Sequence, residues 1–260
     1  LFAFEAKCTS NGGPLVVDLW NNCHVKGAPN LVCINVSPIE YGHVLLLPHV
    51  TERIPQQLTS DTLLLAMQFC AASANPFFRV GYNTLGAYAT INHLHFQAYY
   101  LKHAFPVEVA ETAAVRHRKQ KTVGSAVHVS KLVDYPTRGL VFNGPNLKAV
   151  AEVVGRLCVE LAASNIPHNV LISDCGSRVF LFPQCYAAKQ AANEVPDDLL
   201  ETQVNPAVWE IAGHLVMKRE EDYANMDEEM IGRLLGAVSL SEEAMEDVID
   251  TCFKLDYSCR

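Results

Sequence analysis

Several features that would indicate a membrane or nucleic-acid-binding protein are absent from this sequence. Its longest apolar runs, such as Val44–Leu47 and Thr62–Ala66, fall far short of the roughly 20 residues that a membrane-spanning helix needs. Acidic residues outnumber basic ones by 28 to 20, so the net charge of −8 argues against a general binder of nucleic-acid phosphates. We therefore expect no membrane and no nucleic acid as partners.

No Cys-x-x-Cys pair occurs, although the chain has nine cysteines. Their odd number and apolar contexts, such as Cys33 between Val32 and Ile34, favour reduced thiols in an intracellular protein over a disulfide framework. We therefore expect a cytoplasmic location. The chain begins at Leu1, not at Met, and without a basic stretch followed by an apolar core and a cleavage site, so we expect it to be part of a longer protein.

The first hundred residues predict a β-hairpin, a helix and further strands. Residues 30–50 have the pattern of two strands around a turn rich in proline and glycine. Capping side chains at residues 59–61 precede a helix of about 13 residues that ends before Pro76. Phe78–Tyr82 and Ala89–Tyr100 then have the composition of strands.

The middle of the chain is more polar before a second hairpin-plus-helix pattern begins. Residues 106–140 predict a surface connection, and we interpret their basic cluster Arg116–Lys121 as a solvated loop in preference to a phosphate site. Asn146–Ser164 has apolar residues at helical spacing. Asn169–Asp174 and Arg178–Phe182 predict a hairpin.

Two further segments complete the predicted fold. Val208–Lys218 has the pattern of a buried strand, and Glu220–Asp250 predicts amphipathic terminal helices. The fold class is therefore α+β, with a largely antiparallel sheet and flanking helices. We divide the chain into a catalytic half, residues 1–140, and a second, degenerate half, residues 141–260, packed as one unit.

The segment His93-Leu94-His95-Phe96-Gln97 alternates polar and apolar side chains. In a strand, His93, His95 and Gln97 would share one face while the apolar residues between them pack behind. We call these three side chains the polar ledge. Buried imidazoles without hydrogen-bond partners cost roughly 1–3 kcal/mol, so packing alone does not explain the ledge. We interpret it as the site of chemistry.

Glycines, an amide and hydroxyls precede the polar ledge. Glycine lets a backbone approach an anion closely, and Asn83, Gly86 and Thr90 together indicate a phosphate-binding loop. A nucleophilic histidine needs one free ring nitrogen and an acceptor on the other. His95 is the central candidate, with His93 and Gln97 each about 6–7 Å away along the strand.

Other readings of the polar ledge stay open. Two histidines at alternate strand positions can hold zinc, although glutamine is a poor ligand for it. The histidines could also be a structural pair, or one could serve a hydrolase, although no Gly-x-Ser-x-Gly sequence is present. We interpret Glu210 and His214, on the predicted late strand, as a structural pair. No metal and no cofactor is predicted.

These motifs resemble those of a known superfamily. Asn83-x-x-Gly86, Thr90 and His93-x-His95-x-Gln97 resemble the active-site segment of the histidine-triad superfamily, in its galactose-1-phosphate uridylyltransferase-like branch. Asn35-x-x-Pro38-x-x-x-Gly42-His43 is similar to the superfamily's first hairpin. Residues 34–46, 91–101 and 201–210 closely resemble the plant and algal GDP-L-galactose phosphorylases. The resemblance implies a duplicated histidine-triad-like fold.

The resemblance also implies an activity. His95 would take GMP from a GDP-hexose and pass it to inorganic phosphate, with His93 and Gln97 holding phosphate oxygens. The resemblance assigns substrate binding to a further set of side chains: Asn35, His43, Asn83, Gly86 and Thr90. It leaves open a GDP-D-glucose phosphorylase or a non-catalytic nucleotide-binding module. The implied partners are these small molecules, and a homodimer is a further expectation because related enzymes are often dimers.

Overall fold

The computed structural model describes residues 2–7, 16–20, 29–115 and 127–257. Within these ranges the chain forms eleven strands and nine α-helices. The strands are β1 (Phe2–Lys7), β2 (Val16–Trp20), β3 (Asn30–Ile34), β4 (Val44–Leu47), β5 (Phe78–Asn83), β6 (Phe96–Tyr100), β7 (Thr112–Ala114), β8 (His128–Leu132), β9 (Leu140–Asn143), β10 (His168–Ser173) and β11 (Arg178–Pro183). The helices are α1 (Ser60–Ala72), α2 (Pro106–Val109), α3 (Leu147–Ala163), α4 (Tyr186–Ala191), α5 (Asp197–Glu201), α6 (Val208–Ala212), α7 (Glu220–Asn225), α8 (Glu228–Val238) and α9 (Glu242–Tyr257).

The strands form one antiparallel sheet in the order β2-β1-β3-β4-β6-β5-β10-β11-β9-β8-β7. At its centre β5 pairs with β10, with Asn83 opposite Asn169. The same succession of elements lies on each side of this pair. A hairpin, a helix and two strands occur as β3-β4-α1-β5-β6 and again as β8-β9-α3-β10-β11. A gene duplication would leave this order, although the ancestry and the division at residue 140 stay predictions.

The long helices begin where the sequence provides capping side chains. The Thr59 hydroxyl accepts the backbone N–H of Thr62, and the Thr62 hydroxyl accepts that of Thr59, which satisfies two N–H groups at the start of α1. The Asn146 side chain accepts the N–H of Ala149 at the start of α3. The predicted helices near residues 60 and 147, the hairpin β10–β11 and the terminal helices are confirmed.

Each face of the sheet is covered by a different set of helices. One apolar core joins α1, α3 and α9 to side chains such as Phe96, Tyr82 and Val170. The other joins α5, α6 and α8 to Tyr99 and Phe180 from the opposite face. The predicted α+β class, a large antiparallel sheet with flanking helices, is therefore confirmed. No helix in the described ranges is long and apolar enough to cross a bilayer.

Two predicted elements are wrong, and a third is only partly confirmed. Residues 106–140 contain α2, β7 and β8 in place of a surface connection, whereas the basic cluster 116–121 lies outside the described residues. The predicted strand Val208–Lys218 does not form, and its first five residues are the short helix α6. All five are buried, and a short buried run does not distinguish strand from helix. Of the predicted strand Ala89–Tyr100 only β6 forms, since the Leu94 N–H donates to the Ile54 carbonyl of a loop.

Gly81 in β5 is in close contact with α6, and its substitution tests this packing. A Cβ at Gly81 would lie 2.6 Å from Val208 Cγ1 and 2.9 Å from the Trp209 ring. We expect Gly81→Ala to lower the free energy of unfolding by about 1–3 kcal/mol, as overpacking does. Gly236→Ala in α8 is the control, because nothing lies within 4 Å of its added Cβ. We expect urea denaturation to show that this second variant is stabilised by about 0.5–1 kcal/mol. Equal changes in the free energy of unfolding for the two variants would contradict close packing of Gly81 against α6.

Candidate active site

His95, at the centre of the polar ledge, lies just before β6. Its Nδ1 lies 2.8 Å from the carbonyl oxygen of His93. A carbonyl oxygen only accepts hydrogen bonds, so Nδ1 carries the hydrogen and, in the neutral ring, Nε2 carries the lone pair. Among the described residues no hydrogen bond occupies this Nε2. The ring is therefore held in the tautomer that presents a nucleophilic nitrogen.

The side chain of Gln56 holds the backbone of His95 in place. Gln56 is 2% exposed, and its Oε1 accepts the His95 N–H at 2.9 Å. Its Nε2 donates to the carbonyls of Asn83 at 2.8 Å and His95 at 3.2 Å. Gln56 is itself fixed, because the Tyr82 hydroxyl donates to its carbonyl and its N–H donates to Asn92 Oδ1. This amide supplies hydrogen bonds that a neighbouring strand would otherwise provide.

Gln97 is oriented by two donors. Its Oε1 accepts from His43 Nε2 at 3.2 Å and from Trp209 Nε1 at 3.3 Å. Both lone pairs of the amide oxygen are then used. Its amide nitrogen has no hydrogen-bond partner in the part of the chain that the structure describes. The Gln97 NH₂ group therefore remains available to an anionic oxygen.

His43 is a buried neutral donor behind Gln97. Its Nδ1 accepts the Ile39 N–H at 3.1 Å, so Nε2 carries the hydrogen. Burial lowers the pKa of His43 below its ordinary value, and the bond to Gln97 opposes that effect. The amide nitrogen of Asn35 lies 3.0 Å from the same Nε2. The amide oxygen of Asn35 accepts the Ser37 N–H. The structure thus brings Asn35, His43 and Gln97 together.

Asn83 is fixed by residues from the second half of the chain. Its Oδ1 accepts from Asn169 Nδ2 at 2.7 Å and from the Val208 N–H at 3.0 Å. Asn169 also donates to the Ala87 carbonyl and accepts from Gln184 Nε2. The start of the predicted phosphate-binding loop is therefore held by a buried network of amides.

The remaining predicted site residues lie on exposed or partly exposed positions. Gly86 has a φ of 80°, and a Cβ there would lie 3.1 Å from Pro167 Cγ, so glycine suits this turn. Thr90 is exposed, and the His93 ring is partly exposed. Within the described ranges, Gly86, Thr90 and His93 form no hydrogen bond with His95 Nε2. Their phosphate-binding roles stay predictions.

Glu210 is buried in α6 beside Trp209. Burial raises the pKa of Glu210 to about 7, and the backbone N–H groups of Glu210, Ala207 and Val216 and the charge of Lys218 oppose this. This carboxyl group is therefore largely protonated at mildly acidic pH and loses its proton near neutrality. No positively charged side chain forms an ion pair with it among the described residues.

His214 and Glu210 do not share a strand face, because Glu210 lies in helix α6, which ends at Ala212 and is followed by Gly213 with a φ of 101°. The Tyr99 hydroxyl and His214 Nδ1 instead form a hydrogen bond of 2.8 Å, and burial lowers the pKa of His214. The described residues contain no group of three or more His, Cys, Asp or Glu side chains that could hold a metal ion.

Several side chains that shape the site were not found from the sequence: Gln56, Trp209, Asn169 and Gln184. Gln56 lies in a loop without a recognisable motif, and Asn169 occupies an ordinary strand position. Only Trp209 had a sequence signal, since it falls in the segment 201–210 that resembles the plant phosphorylases. Gln56 holds His95, Trp209 orients Gln97, and Asn169 with Gln184 supports Asn83. A free ring nitrogen on His95 and a free amide donor on Gln97 are groups suited to nucleophilic attack on a phosphoryl group.

Two family models match the chain. The GDPGP1-like N-terminal domain matches residues 5–99, and the GDPGP1-like C-terminal domain matches residues 106–258. The chain belongs to the GDPGP1-like family. This membership agrees with the resemblance that the polar ledge and the first hairpin indicate.

Curated proteins differ in their sequence identity to this chain. GDP-L-galactose phosphorylase 1 of Arabidopsis thaliana is 53% identical over 230 residues, which cover 88% of this chain and 51% of that protein. GDP-D-glucose phosphorylase 1 of Danio rerio is 34% identical over 229 residues, which cover 82% of this chain and 62% of that protein. The predicted resemblance to plant GDP-L-galactose phosphorylases is confirmed. The chain spans about half the length of the plant relatives that it matches.

A solved structure shows the same fold. The crystal structure of yeast Ap4A phosphorylase Apa2 aligns with a TM-score of 0.60 at 14% identity, covering 86% of this chain and 76% of that chain. At this identity the likeness concerns the fold alone.

Substitution of Gln56 tests its role in positioning His95. Gln56→Leu leaves the His95 N–H and two carbonyls without partners, and each buried unpaired group costs about 1–3 kcal/mol. We expect a free energy of unfolding lower by at least about 2 kcal/mol, together with faster hydrogen exchange at the His95 amide. The exposed neighbour variant Gln57→Leu is the control, with a change within about 0.5 kcal/mol. Similar losses in both variants would argue against this role.

The raised pKa of Glu210 predicts a pH dependence of stability. Because the pKa is higher in the folded state than in the unfolded chain, the stabilising contribution is complete below the unfolded value and is lost as pH rises through about 7. We expect Glu210→Gln to be more stable than the parent at about pH 8.5, by up to about 3 kcal/mol, and similar to it at about pH 4.

Urea denaturation at both pH values measures this difference. The exposed Glu243→Gln variant in α9 is the matched control and should follow the parent at each pH. A Glu210→Gln variant that tracks the parent across the pH range would contradict the assignment.

Proposed function

We propose that this chain transfers GMP from GDP-L-galactose to inorganic phosphate through a guanylyl-His95 intermediate, producing GDP and L-galactose 1-phosphate. The observation that carries the proposal is the hydrogen bond from His95 Nδ1 to the His93 carbonyl, which leaves Nε2 unoccupied. Membership of the GDPGP1-like family supports the same reaction class.

In the first step, His95 Nε2 attacks the α-phosphorus of the nucleotide sugar. The bond from the α-phosphorus to the bridging oxygen breaks, and hexose 1-phosphate leaves with the electron pair. The His93 carbonyl accepts the Nδ1–H of the ring and so stabilises the positive charge that the imidazole acquires. The Gln97 NH₂ group, fixed by His43 and Trp209, is available to a non-bridging oxygen of the same phosphoryl group.

In the second step, an oxygen of inorganic phosphate attacks the phosphorus of the adduct. The bond from Nε2 to phosphorus breaks, GDP leaves, and His95 regains its lone pair. Gln97 favours transfer over hydrolysis, because a neutral amide does not donate or accept a proton as a histidine does in general acid–base catalysis. The order of events predicts ping-pong kinetics.

The choice of L-galactose rests on the plant relatives, which are more similar to this chain than the GDP-D-glucose phosphorylases of animals. We further propose that the partners are a GDP-hexose and phosphate and that the protein works in the cytoplasm. Support for that location comes from the cysteines of the described ranges, which are free thiols. A homodimer stays a prediction.

His95→Asn tests the nucleophile. We expect the parent to convert GDP-L-galactose to GDP and hexose 1-phosphate only when phosphate is present, and to carry a guanylyl adduct, seen by mass spectrometry, when phosphate is absent. His95→Asn should lose both the adduct and at least about 10³-fold of the turnover, because the asparagine side chain is not a nucleophile. His103→Asn, at an exposed histidine outside the polar ledge, is the control.

Parental turnover in His95→Asn would contradict the covalent mechanism. Faster turnover of GDP-D-glucose than of GDP-L-galactose in a parallel assay would transfer the proposal to the animal-type activity. Nucleotide binding without any turnover would indicate the non-catalytic module instead.

A further inference from the structure

The indole ring of Trp209 reaches Gln97 through a space that a glycine leaves in the sheet. Trp209 is 3% exposed, and its Nε1 donates to Gln97 Oε1 at 3.3 Å. Gly81 lies opposite Gln97 in the β5–β6 pair, and a Cβ at Gly81 would lie 2.9 Å from the Trp209 ring. Glycine inside a strand often marks such a close approach. The absence of a side chain at Gly81 is therefore what lets the indole contact Gln97.

Packing of α6 does not require the indole N–H. The Trp209 and Tyr99 rings pack with their centroids 4.2 Å apart, and the Tyr135 hydroxyl holds α6 by donating to the Ile211 carbonyl at 2.6 Å. A phenylalanine at position 209 would keep an aromatic ring against Tyr99. A buried indole N–H needs an acceptor, and within the described ranges Gln97 is the acceptor of Trp209 Nε1. The N–H group therefore acts on Gln97.

The amide of Gln97 has two ends of opposite chemistry, an oxygen that accepts and a nitrogen that donates. Two donors, His43 Nε2 and Trp209 Nε1, hold the oxygen and leave the NH₂ end free. Turning the amide over would lose both hydrogen bonds and place the NH₂ group against two donors. Without the indole N–H, the turned amide loses only the bond from His43. Trp209 therefore lowers the population in which the Gln97 oxygen is the free end.

We propose that Trp209 is a positioning residue that favours phosphate over water as the acceptor of GMP. This inference rests on the proposed transfer of GMP through His95. The free NH₂ end of Gln97 donates to negatively charged oxygens, such as those of phosphate and of the phosphoryl group. It cannot accept a hydrogen from an attacking water molecule. A turned amide would present its oxygen, which repels phosphate oxygens and accepts a hydrogen from water, so hydrolysis would gain.

Phosphate and water compete for the same guanylyl-His95 adduct. In either case an oxygen of the acceptor attacks the phosphorus, the bond from Nε2 to phosphorus breaks, and its electron pair returns to Nε2. Phosphate yields GDP. Water yields GMP and releases one of its hydrogens as a proton to solvent. The ratio of GMP to GDP among the products therefore measures the choice of acceptor.

Trp209→Phe removes the indole N–H and keeps an aromatic ring at this position. We expect the ratio of GMP to GDP, formed from GDP-L-galactose at a fixed phosphate concentration, to rise at least about fivefold, which corresponds to one neutral hydrogen bond. Chromatography of the products measures this ratio. In the chain without ligand, we also expect NMR to show a second resonance for the Gln97 side-chain NH₂ group.

Gly81→Ala provides a second route to the same loss, because the added Cβ displaces the Trp209 ring and leaves the indole itself intact. We expect the same direction of change in the product ratio, so this variant decides the outcome if Trp209→Phe does not fold. Tyr135→Phe is the matched control. It removes the hydroxyl that holds α6 at Ile211 and should keep the parental product ratio, because Tyr135 donates to α6 and not to Gln97.

The product ratios separate this inference from the proposed function. A parent that forms no GDP from GDP-L-galactose and phosphate would overturn the proposed function, and this inference with it. A parent that forms GDP, together with parental product ratios in Trp209→Phe and Gly81→Ala, would overturn the role of Trp209 alone. An equal rise of the ratio in Tyr135→Phe would also overturn it, because any loosening of α6 would then have the same effect.

Discussion

The hydrogen bond from His95 Nδ1 to the His93 carbonyl is the interaction on which the candidate site depends. It requires residues 93–95 to keep one conformation although they lie outside β6. Gln56 meets that requirement by bonding to the His95 N–H, the His95 carbonyl and the Asn83 carbonyl. A single buried amide therefore fixes the backbone that in turn fixes the tautomer of the nucleophile.

Residues from the second half of the chain help to build this site. Trp209 orients Gln97, and Asn169 holds Asn83 across the central strand pair. On β11, the same sheet face carries Phe180 and Phe182, which are buried under α5, α6 and α8. The polar ledge therefore lies on the same sheet face as an apolar core that packs against α6.

The sequence predicted elements whose signals are local. The cap at Thr59 and the Pro76 stop lie within a few residues of the ends of α1, whereas the alternation of His93, His95 and Gln97 predicted a strand that begins only at Phe96. The three motif-based candidates that the structure brings together, Asn35, His43 and Gln97, also come from short-range patterns. The predicted strand Val208–Lys218 was wrong, because the run of five buried residues that forms α6 has no periodicity to distinguish helix from strand.

The missed parts of the site depend on contacts between distant residues. Gln56 reaches His95 across 39 positions, and Trp209 reaches Gln97 across 112. Neither residue type differs from ordinary loop or core usage, so no local pattern predicts its partner. Their roles follow only from the sheet, which places the loop before α1 and the start of α6 against the same two strands, β5 and β6.

Nitrogen NMR of the His95 ring, in the 260-residue chain without ligand and at about pH 8, tests the central claim most directly. The account predicts the tautomer with hydrogen on Nδ1 and a lone pair on Nε2, and it predicts that Gln56→Leu mixes the two tautomers. A ring with hydrogen fixed on Nε2 would leave no nucleophilic nitrogen facing the substrate and would contradict the account.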